Sequence, residues 1–211
     1  MGKMLLIDTS RCISCRACQV ACKLWHALPA EENNEPRTGL TGTTLTLVKE
    51  FEAEVDGNIR RLFFKDQCRH CEDPWCIKAC PRDAIKKMSN GAIKIRAYLC
   101  EPNKCTVGEI KSCQAACPYN IPRIDTAKNK ATKCNLCHDR YMDGSGRKTA
   151  CADACPTGAI FFGKDTKVLK EANKRLAKLK TRYPNANIGG APDGPSHVIW
   201  LFTEDHALYG L

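Results

Sequence analysis

The run Cys12-Ile-Ser-Cys15-Arg-Ala-Cys18-Gln-Val-Ala-Cys22 sets four thiols at a C-x2-C-x2-C-x3-C spacing. Two residues between successive cysteines let one tight loop wrap three thiols around a single inorganic core. The fourth, about one helical turn further on, points away from that core and toward a second one. Thiolate is a soft, anionic ligand, which suits the iron of an iron–sulfur cubane. Three more groups repeat the theme: Cys68-x2-Cys71-x4-Cys76-x3-Cys80, Cys100-x4-Cys105-x7-Cys113-x3-Cys117 and Cys134-x2-Cys137-x13-Cys151-x3-Cys155. Every group closes on Cys-x3-Cys, and the last three continue into Pro81, Pro118 and Pro156. Sixteen cysteines so arranged imply four 4Fe–4S clusters.

Other uses of cysteine fit less well. Disulfides in large number belong to small secreted domains. The N-terminus offers no secretory signal, with Lys3 followed by only Met4 to Ile7 as an apolar stretch. Zinc takes its thiols two plus two, which would leave Cys18 and Cys22 without a role. A zinc-structured interaction module is the alternative from another class, and it would be colourless.

Leu, Ile, Val and Phe make up about 19% of the 211 residues, and 33 basic against 23 acidic side chains leave a net charge of +10. A chain of that composition ordinarily buries too little apolar surface to fold. Inorganic cores must therefore help to hold it. Each 4Fe–4S core with its four thiolates brings about −2, so four of them reduce the net charge to about +2. The basic residues flanking the cysteines (Arg11, Arg16, Lys23, Arg69, Lys78, Lys111, Lys133 and Arg140) then balance buried anions, and no nucleic-acid partner is expected. The longest apolar run, Val198–Phe202, falls far short of the roughly 20 residues that span a bilayer. No phosphate loop, nucleophile elbow or H-E-x-x-H motif is present, and no catalytic residue is expected.

Asn90-Gly91 between short alternating runs signals a hairpin joining groups two and three. These two groups are expected to form one unit over 67–117. It nests within a second unit, 1–42 plus 118–163, built from groups one and four. The predicted fold class is α+β, with two ferredoxin-like two-cluster units related by pseudo-symmetry. A β-hairpin insert over 43–66 turns at Asp56-Gly57. The 164–211 region supplies a C-terminal helix, a loop over 184–195, and a strand at 197–202. The helix follows from Val168, Leu169, Ala172, Leu176 and Leu179 at helical spacing.

If the fourth cysteine of each group crosses to the neighbouring cluster, four ligand sets follow. They are Cys12, Cys15, Cys18 and Cys155; Cys22, Cys134, Cys137 and Cys151; Cys68, Cys71, Cys76 and Cys117; and Cys80, Cys100, Cys105 and Cys113. His70 and His138 lie inside groups whose sites sixteen cysteines already complete, so they are expected behind the ligands. Trp25, His26 and Trp75 are expected to pack over clusters.

The segments Cys12 to Cys22 with Lys-Leu-Trp25, Lys133-Cys134-Asn-Leu-Cys137-His-Asp139-Arg140 and Ala150-Cys151-Ala-Asp-Ala-Cys155-Pro156 resemble the iron–sulfur subunit of formate dehydrogenases. The likeness covers roughly residues 3–163. It implies a non-catalytic electron-transfer subunit holding four 4Fe–4S clusters on the sixteen cysteines. It also implies a catalytic partner with a bis-pterin molybdenum or tungsten centre that interconverts formate and carbon dioxide. A soluble acceptor such as a c-type cytochrome would take the electrons. Sister subunits of other molybdenum reductases or a hydrogenase share most of these motifs and form the alternative of the same architecture.

Two departures matter. The family's third group is usually compact, whereas seven residues here separate Cys105 from Cys113, so an expanded loop is expected there. Membrane-bound relatives carry a C-terminal transmembrane helix, which this sequence does not show. The resemblance therefore implies the soluble two-subunit type, and a periplasmic location by co-export with the catalytic subunit; a cytoplasmic one is the alternative.

Overall fold

The computed structural model describes residues 2–30, 38–107, 110–190 and 195–211. Strand β1 (Lys3–Asp8) is apolar on both faces, and successive side chains point to opposite sides. It is accordingly an interior strand. The chain then forms α1 (Ala17–Trp25), the long pair β2 (Thr46–Val55) and β3 (Asn58–Gln67), and the one-turn helix α2 (Trp75–Lys78). Short hairpins follow: β4 (Ile85–Lys87) with β5 (Ile93–Ile95), and β6 (Thr106–Val107) with β7 (Ile110–Lys111). Next come α3 (Ser112–Ala115), the pair β8 (Arg123–Asp125) and β9 (Lys130–Thr132), and the short helices α4 (His138–Tyr141) and α5 (Ala150–Asp153). The chain ends with β10 (Ile160–Lys164), α6 (Asp165–Leu179), β11 (Asn187–Gly189) and β12 (Val198–Phe202).

Four strands form one sheet in the order β10-β1-β12-β11, with β1 antiparallel to β10 and parallel to β12. One face presents Met4, Leu6, Ile199 and Leu201 to α6, whose Val168 and Ala172 are fully buried. The other face presents Leu5, Ile7, Phe162, Val198, Trp200 and Phe202 to Leu62 and Phe64 of β3. Phe64 stacks on Phe202 and tilts against Trp200. This aromatic slab is the main apolar core of a chain otherwise poor in one.

The insert is a regular ladder from Thr46↔Gln67 to Val55↔Asn58. Asp56 and Gly57 both take positive φ (53° and 71°), as a two-residue turn matched to strand twist requires. Between β4 and β5 only Gly91 of the Asn-Gly pair is left-handed (φ 88°), and the connection runs over 88–92.

Three features go beyond the sequence expectations. The 184–195 loop contains β11, a three-residue edge strand that its pairing to β12 defines more than its own composition. The final strand lies inside the sheet, between β1 and β11. The pair β8–β9 carries no alternation long enough to announce it.

Gly42 shows how closely these pieces meet. A Cβ there would stand 2.3 Å from the Ile124 carbonyl oxygen and 2.5 Å from Asp125 Cα, both backbone atoms of β8. Thr132 Oγ1 also donates to the Gly42 carbonyl at 2.7 Å. Gly42→Ala should therefore destabilise the protein by about 3 kcal/mol through forced separation of backbones, measured as a lower thermal midpoint. An unchanged midpoint would show that the 38–44 segment can shift freely.

Candidate metal centres

The four groups make their sites by one local recipe. In three C-x2-C loops the second residue after the first cysteine is left-handed: Ser14 (φ 53°), His70 (φ 52°) and Leu136 (φ 58°). After three of the closing cysteines a left-handed residue recurs at the third position, at Asp83, Asn120 and Gly158. Such residues turn successive backbone N–H groups inward, toward an anion. Cys22 is the exception, because α1 continues through it to Trp25. That helix is why this closing cysteine lacks the following proline.

The folded chain redistributes the cysteines among sites. Cys12 lies near Cys15 and Cys155, and Cys18 near Cys12, Cys155 and Cys151. Cys22 is surrounded by Cys134, Cys151 and Cys137. Cys76 neighbours Cys68, Cys71 and Cys117, and Cys113 neighbours Cys105, Cys100 and Cys80. Each neighbourhood thus mixes cysteines from two groups. One pocket is lined by Cys12, Cys15, Cys18 and Cys155, and another by Cys80, Cys100, Cys105 and Cys113.

The stretched third group keeps its shape through a small hairpin. Ser112 donates from both its N–H (2.7 Å) and its hydroxyl (2.6 Å) to the Cys105 carbonyl. The ends of the loop are thereby pinned beside each other, and Cys105 and Cys113 line one pocket. Residues 108 and 109 lie outside the described residues.

The donor set suits iron–sulfur clusters. Backbone N–H groups reach four sulfurs: Ala84 to Cys80 (3.3 Å), Ala131 to Cys100 (3.3 Å), Leu136 to Cys134 (3.4 Å) and Ala150 to Cys137 (3.5 Å). Among the described residues, no three His, Cys, Asp or Glu side chains converge as a single metal ion would need. A tetrahedral zinc holds its sulfurs only about 3.8 Å apart, from Zn–S bonds near 2.3 Å. Cubane corners stand wider, and two of the sites present four thiols around a pocket.

Burial is the main influence on these thiols. It pushes Cys18, Cys71, Cys113 and Cys134 up to about 11, and Cys76 and Cys137 up to about 12. At neutral pH they are protonated until a cation takes the proton's place, so metal binding releases protons. Cys155 runs the other way. Burial opposes its ionisation, but the Thr157 hydroxyl and the N–H groups of Ile160, Ala159 and Thr157 outweigh it and hold the thiol below its usual value.

Among the described residues, three buried cations stand among the sites. Lys65, 2% exposed on β3, faces Cys151, Cys18, Cys134 and Cys22 and donates to Gln67 Oε1. Burial alone would lower its pKa, yet the negative charge that the surrounding cysteines carry once ionised leaves it raised. Lys133 donates to the Ile93 and Cys134 carbonyls and lies near Cys76. Arg69 pairs with Asp66 (3.2 Å), sits 4.4 Å from the Trp200 ring, and lies near Cys71 and Cys117. The basic residues beside the cysteines pointed to Arg69 and Lys133. Lys65 was missed, since it sits in a strand that reads as half-exposed; a lysine directly after Phe63-Phe64 was the available signal.

His70 is fully buried, and His138 Nδ1 accepts a hydrogen bond from Asn90 Nδ2 at 2.9 Å. Trp25 lies under the Arg140 and Arg147 guanidinium groups, at 4.7 and 5.2 Å, and Trp75 is 55% exposed under Lys78. No described helix is long and apolar enough to cross a membrane.

Comparison with known proteins agrees with this chemistry. Residues 59–165 and 11–85 each match a family of 4Fe–4S dicluster domains. The chain is 39% identical to the formate dehydrogenase 2 subunit beta (cytochrome c-553) of Nitratidesulfovibrio vulgaris, covering 99% of this chain and 97% of that one. It is 36% identical to the formate dehydrogenase subunit beta of Megalodesulfovibrio gigas, with the same coverage. The nitrate-inducible formate dehydrogenase iron–sulfur subunit of Escherichia coli is 39% identical over 93% of this chain and 66% of its own length.

Proposed function

Because this chain belongs to the iron–sulfur (beta) subunits of formate dehydrogenases, we propose that its sixteen cysteines hold four 4Fe–4S clusters in a row, linking a catalytic subunit to an external acceptor. When bound, each cluster takes up and releases one electron at a time, at a potential set by hydrogen bonds to sulfur, charge and exposure. The ligand sets are Cys12, Cys15, Cys18 and Cys155; Cys22, Cys134, Cys137 and Cys151; Cys68, Cys71, Cys76 and Cys117; and Cys80, Cys100, Cys105 and Cys113. The convergence of cysteines from two groups at every site carries this assignment.

Neighbouring sulfurs support an order. Cys18 lies beside Cys151, joining the first set to the second, and Cys134 beside Cys68, joining the second to the third. Helices α2 and α3 pack together, bringing the third set to the fourth. The two pseudo-symmetric units are the nested one and the one enclosing it. Ile124 and Ala131 of β8–β9 line the fourth pocket, so the nested unit draws on 123–132 as well as 67–117.

Electrons enter near Cys15, the exposed member of the first set. Close to it in the chain, Ile13 (60% exposed), Val20 (58%) and Leu24 (77%) are exposed apolar residues that suit contact with a protein partner, here the bis-pterin catalytic subunit. The acceptor, a soluble protein such as a c-type cytochrome, takes electrons from the fourth set. The complex is of the soluble two-subunit type and periplasmic by co-export.

Iron analysis tests the count. The anaerobically purified chain should be brown and hold about sixteen iron, four per site. About four zinc in place of iron would overturn the cluster assignment, and about twelve iron would remove one site.

A further inference from the structure

His70 is completely buried between Cys68 and Cys71, and its imidazole has one nitrogen satisfied and one not. Nδ1 accepts the Ile93 N–H at 2.9 Å. An accepting Nδ1 on a neutral ring places the proton on Nε2. Among the described residues Nε2 has no hydrogen-bond partner. An N–H buried without an acceptor costs about 1–3 kcal/mol, and so rarely persists.

The ring is held there on purpose-built contacts. The His70 carbonyl accepts the His197 N–H at 3.0 Å, and the Glu72 N–H donates to the Pro195 carbonyl at 2.8 Å, so the 195–197 segment clamps the cysteine loop. Of the titratable neighbours, Lys133 has only donors to offer, and both ring nitrogens of His197 are engaged elsewhere, with the Lys3 carbonyl at 2.9 Å and Glu72 Oε2 at 3.0 Å. What the site lacks is an acceptor, and a cluster held by the same loop presents thiolate and sulfide sulfurs.

We propose that His70 Nε2–H donates a hydrogen bond to a sulfur of the cluster held by Cys68, Cys71, Cys76 and Cys117, and so sets that cluster's potential. The assignment rests on the ligand sets above. A donor to sulfur stabilises the more negative, reduced form and raises the potential. His70 is thus a tuning residue at the third step of the row, fixed in its tautomer by the Ile93 N–H.

The test uses the whole complex carrying His70→Phe, with iron content and a potentiometric electron paramagnetic resonance titration. One cluster should show a lowered midpoint, the same one whose signal Cys71→Ser alters, while the other three keep theirs and iron stays near sixteen. In the unaltered complex labelled with 15N-histidine, pulsed resonance should detect nitrogen coupled to that reduced cluster. Absence of that coupling, unchanged midpoints at full iron, or a shift on a different cluster would overturn the proposal. Should His70→Phe lose iron, the labelled unaltered complex decides alone. Iron well below sixteen in the unaltered complex would count against the ligand sets instead.

Discussion

Lys65→Met should lower the potentials of the first two clusters by roughly 100 mV each and leave the other two nearly unchanged. Lys65 is the buried cation between these sites, facing Cys18 of the first set and Cys22, Cys134 and Cys151 of the second. A unit charge about 7 Å from a cluster, at an effective dielectric constant near 20, is worth about 2.4 kcal/mol to each added electron. For a one-electron couple about 59 mV corresponds to a factor of ten, or 1.4 kcal/mol, which gives the stated shift. Methionine keeps the length of the side chain and removes the charge.

The same change should also weaken the fold. It leaves Gln67 Oε1 without its donor and the thiolates without their nearest cation. Breaking a buried charged network from one side costs about 3–5 kcal/mol. Redox titration with iron analysis separates the two effects. A variant with full iron and unchanged potentials would reduce Lys65 to a packing residue.

How much of this was legible in the sequence depends on range. Cysteine spacing is a local property, and it specified the donor chemistry together with the family. The left-handed residues at 14, 70 and 136 belong to the same local recipe, but composition advertises the left-handed position only after the closing cysteines, most clearly at Gly158 and less so at Asn120 and Asp83. The sheet was harder to read. β12 becomes an interior strand only because β1, almost two hundred residues earlier, lies parallel to it, and no periodicity in 198–202 encodes that neighbour. Lys65 was hidden for a related reason. Its burial comes from the Cys18 and Cys151 surroundings and the packing of Trp200, whose Nε1 donates to the Lys65 carbonyl at 3.2 Å, and none of that lies in the insert itself.

Cys105→Ala should leave formate-driven reduction of the first two clusters intact while cutting transfer to the natural acceptor more than tenfold. Cys105 is only half buried, at the outer edge of a pocket shared with Arg82, Glu101 and Lys111, far along the row from the entry surface beside Cys15. Removing one thiol there disables the fourth site or strips it of a corner, so iron falls to about twelve or about fifteen. The fold around the first and second sites should persist, because the contacts Cys105 makes are local: its sulfur reaches the Pro102 carbonyl at 3.5 Å, and its carbonyl holds Ser112. The alanine backbone keeps the second of these. Spectra after formate addition then distinguish the two directions of flow. If electrons enter at the first set, the clusters on Cys12 and Cys22 are reduced as before and hold their electrons, since the exit is blocked. If they enter at the fourth set instead, those two clusters stay oxidised in the intact variant complex, and the order proposed for the row is reversed.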